Sequence, residues 1–167
     1  AIPAEMKQVA AFFGKDFLRD VEEKEFYEHI GQIRKQTGDR AVLRAMHFFD
    51  DDRLAAEEAQ ALYAGDFERF KGMILASGRS SFQRLQNVFA VVNPQEQGIS
   101  LALALSERLL AGKGAWRVHG GGFAGTIQAF VPLDSLEEYR DAMEKVFGPG
   151  TCYTLSIRQP GGTKVEL

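Results

Sequence analysis

Apolar positions recur at helical spacing through the first two-thirds of the chain and then switch to the shorter period of strands. Pro3 to Phe13 predicts a short helix: Met6, Val9, Ala10 and Phe13 share a face, Pro3 suits a first-turn position, and Gly14 is a stop. A second helix is predicted from Lys24 to Gln36 on Phe26, Ile30 and Ile33, ended by Gly38. Asp39 is the expected cap of a long third helix reaching about Ala64, with Val42, Met46, Phe49 and Ala56 on one side. Gly65 breaks it, and Asp66 caps a helix carrying Phe67, Phe70, Met73 and Ile74, with Phe82 as a continuation. After a loop over Asn87 to Gly98, Pro94 is expected to open a helix to about Leu110 with Leu101, Ala102, Leu105 and Leu109 as its apolar face.

The period then shortens. Trp116 and Val118, and Ile127, Phe130 and Val131, predict two strands around a cluster of glycines. Asp134 and Glu137 have capping-box spacing before a helix with Leu136, Tyr139, Met143, Val146 and Phe147 as its stripe. Gly148 and Pro149 stop it. Thr151 to Ile157 alternates as a strand, Gln159 to Gly162 turns the chain, and Thr163 to Leu167 returns as a last strand. The order predicts an α+β fold in one domain, residues 1–167, with an antiparallel or mixed sheet covered by helices on one face.

Composition narrows the function. The net charge of −3 leaves no basic face for nucleic acid. No apolar run approaches a membrane span, and no signal peptide is expected, so the expected location is the cytoplasm. Cys152 is the only cysteine, which excludes an intrachain disulfide and a Cys-based zinc site; it is expected to fill a strand as a small apolar residue. A start at Ala rather than Met fits a cut inside a longer protein.

The glycines stand out chemically. Gly120, Gly121, Gly122 and Gly125 occupy four of six positions, more than a tight hairpin needs. They fit a wide hairpin loop, or a concave set of N–H groups that attracts an anion. Gly78-Arg-Ser-Ser81 offers hydroxyls beside an Arg, suited either to a phosphate or sugar or to a plain helix terminus. Asp50, Asp51 and Asp52 are expected on a solvated helix face, since consecutive helical positions diverge and cannot converge on one cation. His29 and His47 are read as surface or core residues, without a ligand partner at i+4. Gly112-Lys113-Gly114 lacks P-loop spacing.

Taken together, these residues resemble the C-terminal half of the galactokinases, in the GHMP kinase superfamily. Arg117-Val-His-Gly-Gly-Gly-Phe-Ala-Gly125 is similar to the superfamily's third motif, with Gly120, Gly121, Gly122, Phe123 and Gly125 matching, His119 where Thr is usual and Ala124 in place of a glycine. Gly14-Lys-Asp-Phe-Leu-Arg-Asp-Val21, Arg44-Ala-Met-His47, Gly65-Asp-Phe67 and Ser77-Gly-Arg-Ser80 resemble further family segments in the family's order. The stretches Ser81 to Asn87 and Asn93 to Gln97 depart from the family's Asp-Tyr-Glu-Val-Ser-x-Pro-Glu-Leu, as in a divergent bacterial branch, which leaves sugar specificity open.

The resemblance implies a four-stranded, ferredoxin-like GHMP C-terminal domain. It implies an intact protein that phosphorylates the anomeric hydroxyl of galactose with ATP and Mg²⁺. The family's sugar-binding segment, catalytic Asp and Gly-Leu-Ser-Ser-Ser phosphate loop lie in an N-terminal half and do not occur here, so no catalytic residue and no metal ligand is expected in this chain, and the chain alone is expected to be inactive. The partners implied are that N-terminal half, ATP and the sugar, with an exposed apolar surface where the missing half docks. Gly120, Gly121, Gly122 and Gly125 are expected to bring main-chain N–H groups to the nucleotide cleft, with Phe123 packing to fix the loop. Arg117, His119, Ser80 and Ser81 are candidate cleft contacts. The competing readings are a stand-alone small-molecule-binding or regulatory module and a non-catalytic galactokinase-like paralogue.

Overall fold

The computed structural model describes residues 2–123 and 125–157. The predicted turn at Gln159–Gly162 and last strand at Thr163–Leu167 lie outside the described residues. The chain divides into two compact units, Ala1–Pro132 and Leu133–Leu167.

The first unit begins with α1 (Ile2–Phe12), a 3₁₀ turn (Leu18–Asp20), α2 (Glu23–Glu28) and α3 (Ile30–Thr37). The single helix expected over Lys24–Gln36 is thus two. His29 leaves helical geometry at φ −105° and ψ 8°, and its N–H is shared between the carbonyls of Glu25 and Phe26. The long helix α4 runs from Asp39 to Tyr63. Asp39 is its first residue rather than its cap. Gly38, at φ 87°, takes the cap position, and the Asp39 carboxylate pairs with Arg34. Val42 and Phe49 are buried as expected, but Ala56 is exposed; the buried line runs through Ala41, Ala45 and Ala61 instead. Val9 and Ala10 of α1, Phe26, Ile33, Ala45 and Phe49 form one core cluster. The interdigitation of small Ala positions with aromatic rings lets the helices approach closely.

Asp66 caps α5 (Phe67–Ser80) through a hydrogen bond from the Arg69 N–H, 3.0 Å. Phe70, Met73 and Ile74 pack with Ala61 and Ala115 in a second cluster. The helix then widens into a π turn, Ser81–Leu85. That turn carries Phe82 off the expected stripe, and it is half-exposed. Helix α6 (Gly98–Leu110) starts four residues after Pro94 and buries Ile99, Ala102, Ser106 and Leu110, while Leu101 lies outward.

Strands β1 (Ala115–His119) and β2 (Thr126–Phe130) pair antiparallel, with Ala115 opposite Phe130 and His119 opposite Thr126. Among the described residues the sheet has these two strands only. The α+β class stands, and of the expected four-stranded sheet the described residues form two strands. In the second unit, residues 151–157 form no strand, and Tyr153, Leu155 and Ile157 stand open to solvent. Alternation alone does not make a strand; its N–H and C=O groups need a neighbouring ladder, and no described residue supplies one. Helix α7 (Leu136–Phe147) buries Tyr139 and Met143, with Val146 half-exposed. The expected capping box is absent: Ser135 takes the cap position, its Oγ lies 3.1 Å from Asp134 Oδ1, and Glu137 pairs with Arg140. Cys152 is half-buried outside any strand, and burial together with the nearby Glu144 charge pushes its thiol pKa up, toward the inert form.

Candidate functional site: the glycine hairpin and its supports

The glycines form the tip of the β1–β2 hairpin, and α5 carries it. A Cβ on Gly78 would stand 3.0 Å from the Trp116 carbonyl oxygen and 3.1 Å from Arg117 Cβ, so the bare backbone at Gly78 lets the helix lie against β1. At the tip the close approach is to the chain itself. A Cβ on Gly122 would fall 2.1 Å from the Asn87 carbonyl oxygen, and that same oxygen accepts the Phe123 N–H at 2.6 Å. Phe123 is held at φ 64°, unusual for a residue with a side chain. The loop is therefore stitched to the segment that follows the π turn. Its Gly122 serves packing, and its Phe123 N–H is already spent. Gly120 and Gly121 face open space and are exposed, as are Gly125 and His119.

Beneath the hairpin, α4 supplies a polar hub. Asp51 accepts a hydrogen bond from Ser77 Oγ, stands 3.8 Å from the Arg117 guanidinium, and lies 4.0 Å from His47 Nε2. The other ring nitrogen of His47, Nδ1, is 3.0 Å from Ser80 Oγ. His47 does have an i+4 partner, contrary to expectation: Asp51 is that residue. The acidic run is likewise not a plain solvated face. Asp50 pairs with Arg53 and Arg84, Asp51 is partly exposed and engaged by Ser77 and Arg117, and Asp52 is exposed. The divergence of consecutive helical positions was the sound part of that expectation.

Burial lowers the His47 pKa, as do the charges of Arg117 and Arg84; Asp51 works against them but does not prevail. The shift favours the neutral imidazole. Nearby Glu58 is pushed up, first by burial and then by the Asp51 charge, against the pull of Arg117. Ser80 and Ser81 lie beneath the surface at 7% and 1% exposure, with Ser80 engaged by His47. Arg117 is half-buried and turned to Asp51 and to its own strand, its Nε 3.3 Å from the Val118 carbonyl. Thus the structure brings Arg117 and Ser80 together around one hub, and leaves His119 at the exposed rim.

Sequence reasoning missed Asp51, Asn87 and Glu5. The His47–Asp51 spacing was the available signal for the first. Glu5 of α1 receives Arg40 and Arg44 of α4; Arg44 Nη1 donates at 2.5 Å and its Nε reaches the Leu85 carbonyl at 3.3 Å. Burial alone would raise the Glu5 pKa, but the hydrogen bond from Arg40 and the charge of Arg44 hold it below the usual carboxylate value.

No family model matches the chain. Curated proteins do. It is 30% identical over 131 residues to the galactokinase of Mannheimia succiniciproducens, covering 78% of this chain and 32% of that one. It is 29% identical over 136 residues to the galactokinases of Glaesserella parasuis and Actinobacillus pleuropneumoniae, covering 81% of this chain and 33% of theirs. The chain spans about one-third of the length of the curated relatives it matches. The resemblance carried by the motifs holds: this is a galactokinase-like chain, matching a C-terminal galactokinase part.

Proposed function

We propose that the chain is the C-terminal part of a sugar 1-kinase that transfers the γ-phosphoryl group of ATP to galactose. The observation that carries this reading is the match to galactokinases over about four-fifths of the chain, with the glycine hairpin inside the ordered set of motifs. ATP with Mg²⁺ would supply the phosphoryl group, and the acid–base machinery would come from an N-terminal half.

This chain's own contribution is support. Gly120 and Gly121, exposed and with open space where a side chain would stand, suit the approach of a phosphate oxygen to the main chain. Asn87 fixes the loop through the Phe123 N–H, and Asp51 holds Arg117 in place at the base of the hairpin. Exposed Val91 and Val92, near the loop's anchor in sequence, favour docking of the N-terminal half on this side. The GHMP C-terminal fold and a cytoplasmic location belong to the same reading; no helix among the described residues is long and apolar enough to cross a membrane.

The test is a kinase assay with a hexose panel on the chain alone and on the longer protein that contains it. Galactose-dependent ATP turnover is expected from the longer protein, and none from the chain. Calorimetry on the chain is expected to give little heat with ATP–Mg or galactose. Tight saturable heat for either would favour the stand-alone binding module instead.

A further inference from the structure

A cavity of about 490 Å³ opens where α4, the π turn and the glycine loop meet, lined by Arg40, Arg44, Phe82, Gln86, Phe89 and Phe123 among others. That volume is in the range of small-molecule sites, roughly 300–1,000 Å³. Three features converge on it. The first is backbone strain. Among the described residues, two non-glycines have positive φ and both line this cavity: Phe123 at 64° in the glycine loop, and Gln86 at 56°, the left-handed cap that ends the π turn. Such strain persists where surrounding structure imposes it, and it clusters at ligand sites. The second is the π turn Ser81–Leu85, a rare departure from helical bonding that is frequent at functional positions. The third is charge. The Arg44 side chain is 4% exposed, and Arg40 and Arg44 share the single Glu5 carboxylate. Two guanidiniums against one carboxylate leave a net positive charge at the wall. The rest of the wall is largely apolar, with Phe82, Phe89 and Phe123 rings.

We propose that this cavity binds a small organic anion, a phosphate or carboxylate carried on a flat apolar body. The anionic head would meet the Arg40 and Arg44 guanidiniums, whose planar forks suit such groups, and the body would lie among the three rings. The cavity shares Phe123 with the glycine loop and Val91 with the face proposed for docking, and its test uses neither ATP nor sugar, so it fails or stands apart from the kinase reading.

The experiment is amide-resolved NMR of the 167-residue chain titrated with phenyl phosphate, inorganic phosphate and benzyl alcohol. Phenyl phosphate is expected to shift the amides of Gln86, Phe89 and Phe123 saturably, with at least tenfold weaker binding of the other two probes. Arg44 is buried and its loss threatens the fold, so the variants are Arg40→Gln and Phe82→Ala, at half-exposed residues. Each is expected to weaken phenyl phosphate by about tenfold, a 1.4 kcal/mol change. The proposal is overturned if those amides do not shift, if benzyl alcohol binds as well as phenyl phosphate, or if both variants bind unchanged.

Discussion

Asp51 and Arg117 stand 3.8 Å apart and join the long helix to the strand that leads into the glycine loop. The same carboxylate also accepts the Ser77 hydroxyl. The two contacts differ in kind. Arg117 is a partly exposed ion pair at the edge of contact distance, worth at most about 1 kcal/mol. Ser77 is fully buried and donates to a charged acceptor, worth about 1.5–3 kcal/mol. Urea unfolding of Asp51→Ala should show a loss of about 2 kcal/mol. Double-mutant cycles should assign more coupling to Ser77 than to Arg117.

Gly122→Ala should be costly and Gly120→Ala mild. Both have positive φ, 74° and 66°, which alone costs a side chain about 1–2 kcal/mol. Only Gly122 adds a collision, with the Asn87 carbonyl. The expected losses are about 3 kcal/mol and about 1 kcal/mol, read as shifts in the denaturant midpoint. In the first variant, the Phe123 amide should also lose protection from hydrogen exchange.

Acid should weaken the fold through His47. Its folded pKa is lowered, first by burial and then by Arg117 and Arg84, so the unfolded chain binds the proton more readily. Stability from this residue is complete above its unfolded pKa, near 6.5, and falls as pH drops toward the lower folded value. His47→Gln should flatten the stability–pH curve between neutral and mildly acidic conditions, while the wild-type curve declines. The decline near pH 4.5 and below should remain in that variant. Glu5 has a lowered folded pKa, so its contribution is lost as pH falls past its unfolded value.

Arg44→Met should destabilise by about 3–5 kcal/mol, because it leaves Glu5 with only the half-exposed Arg40. Arg44→Met combined with Glu5→Leu should recover much of that loss, since the stranded carboxylate is gone. Thermal melts of the two variants check this directly.

The helices were legible because their signals are local. Asp66 caps, Gly38 stops and Phe70, Met73 and Ile74 bury as their spacing predicts. The two strands were legible from β-branched and aromatic residues around glycine. What failed depended on distant partners. Asp39 is the exception, losing its cap role to the adjacent Gly38 and its carboxylate to Arg34 five positions back. The alternation of Thr151 to Ile157 predicted a strand, but a strand requires a neighbour that its own residues do not specify. The hub was partly legible: Arg44-Ala-Met-His47 marked the right helix, whereas Asp51 was set aside with its acidic neighbours. Its partners, Ser77 and Arg117, lie 26 and 66 positions away.

The bond from Phe123 to Asn87 ties two stretches that look separable on paper. One, the glycine loop, keeps most of the galactokinase pattern; the other, the stretch after α5, has departed from it. Grafting either stretch alone from a relative would set a foreign clasp against a native catch. Because the bond joins main chain to main chain, a graft that shifts the backbone of either stretch breaks it, and an engineer rebuilding one would have to rebuild the other with it.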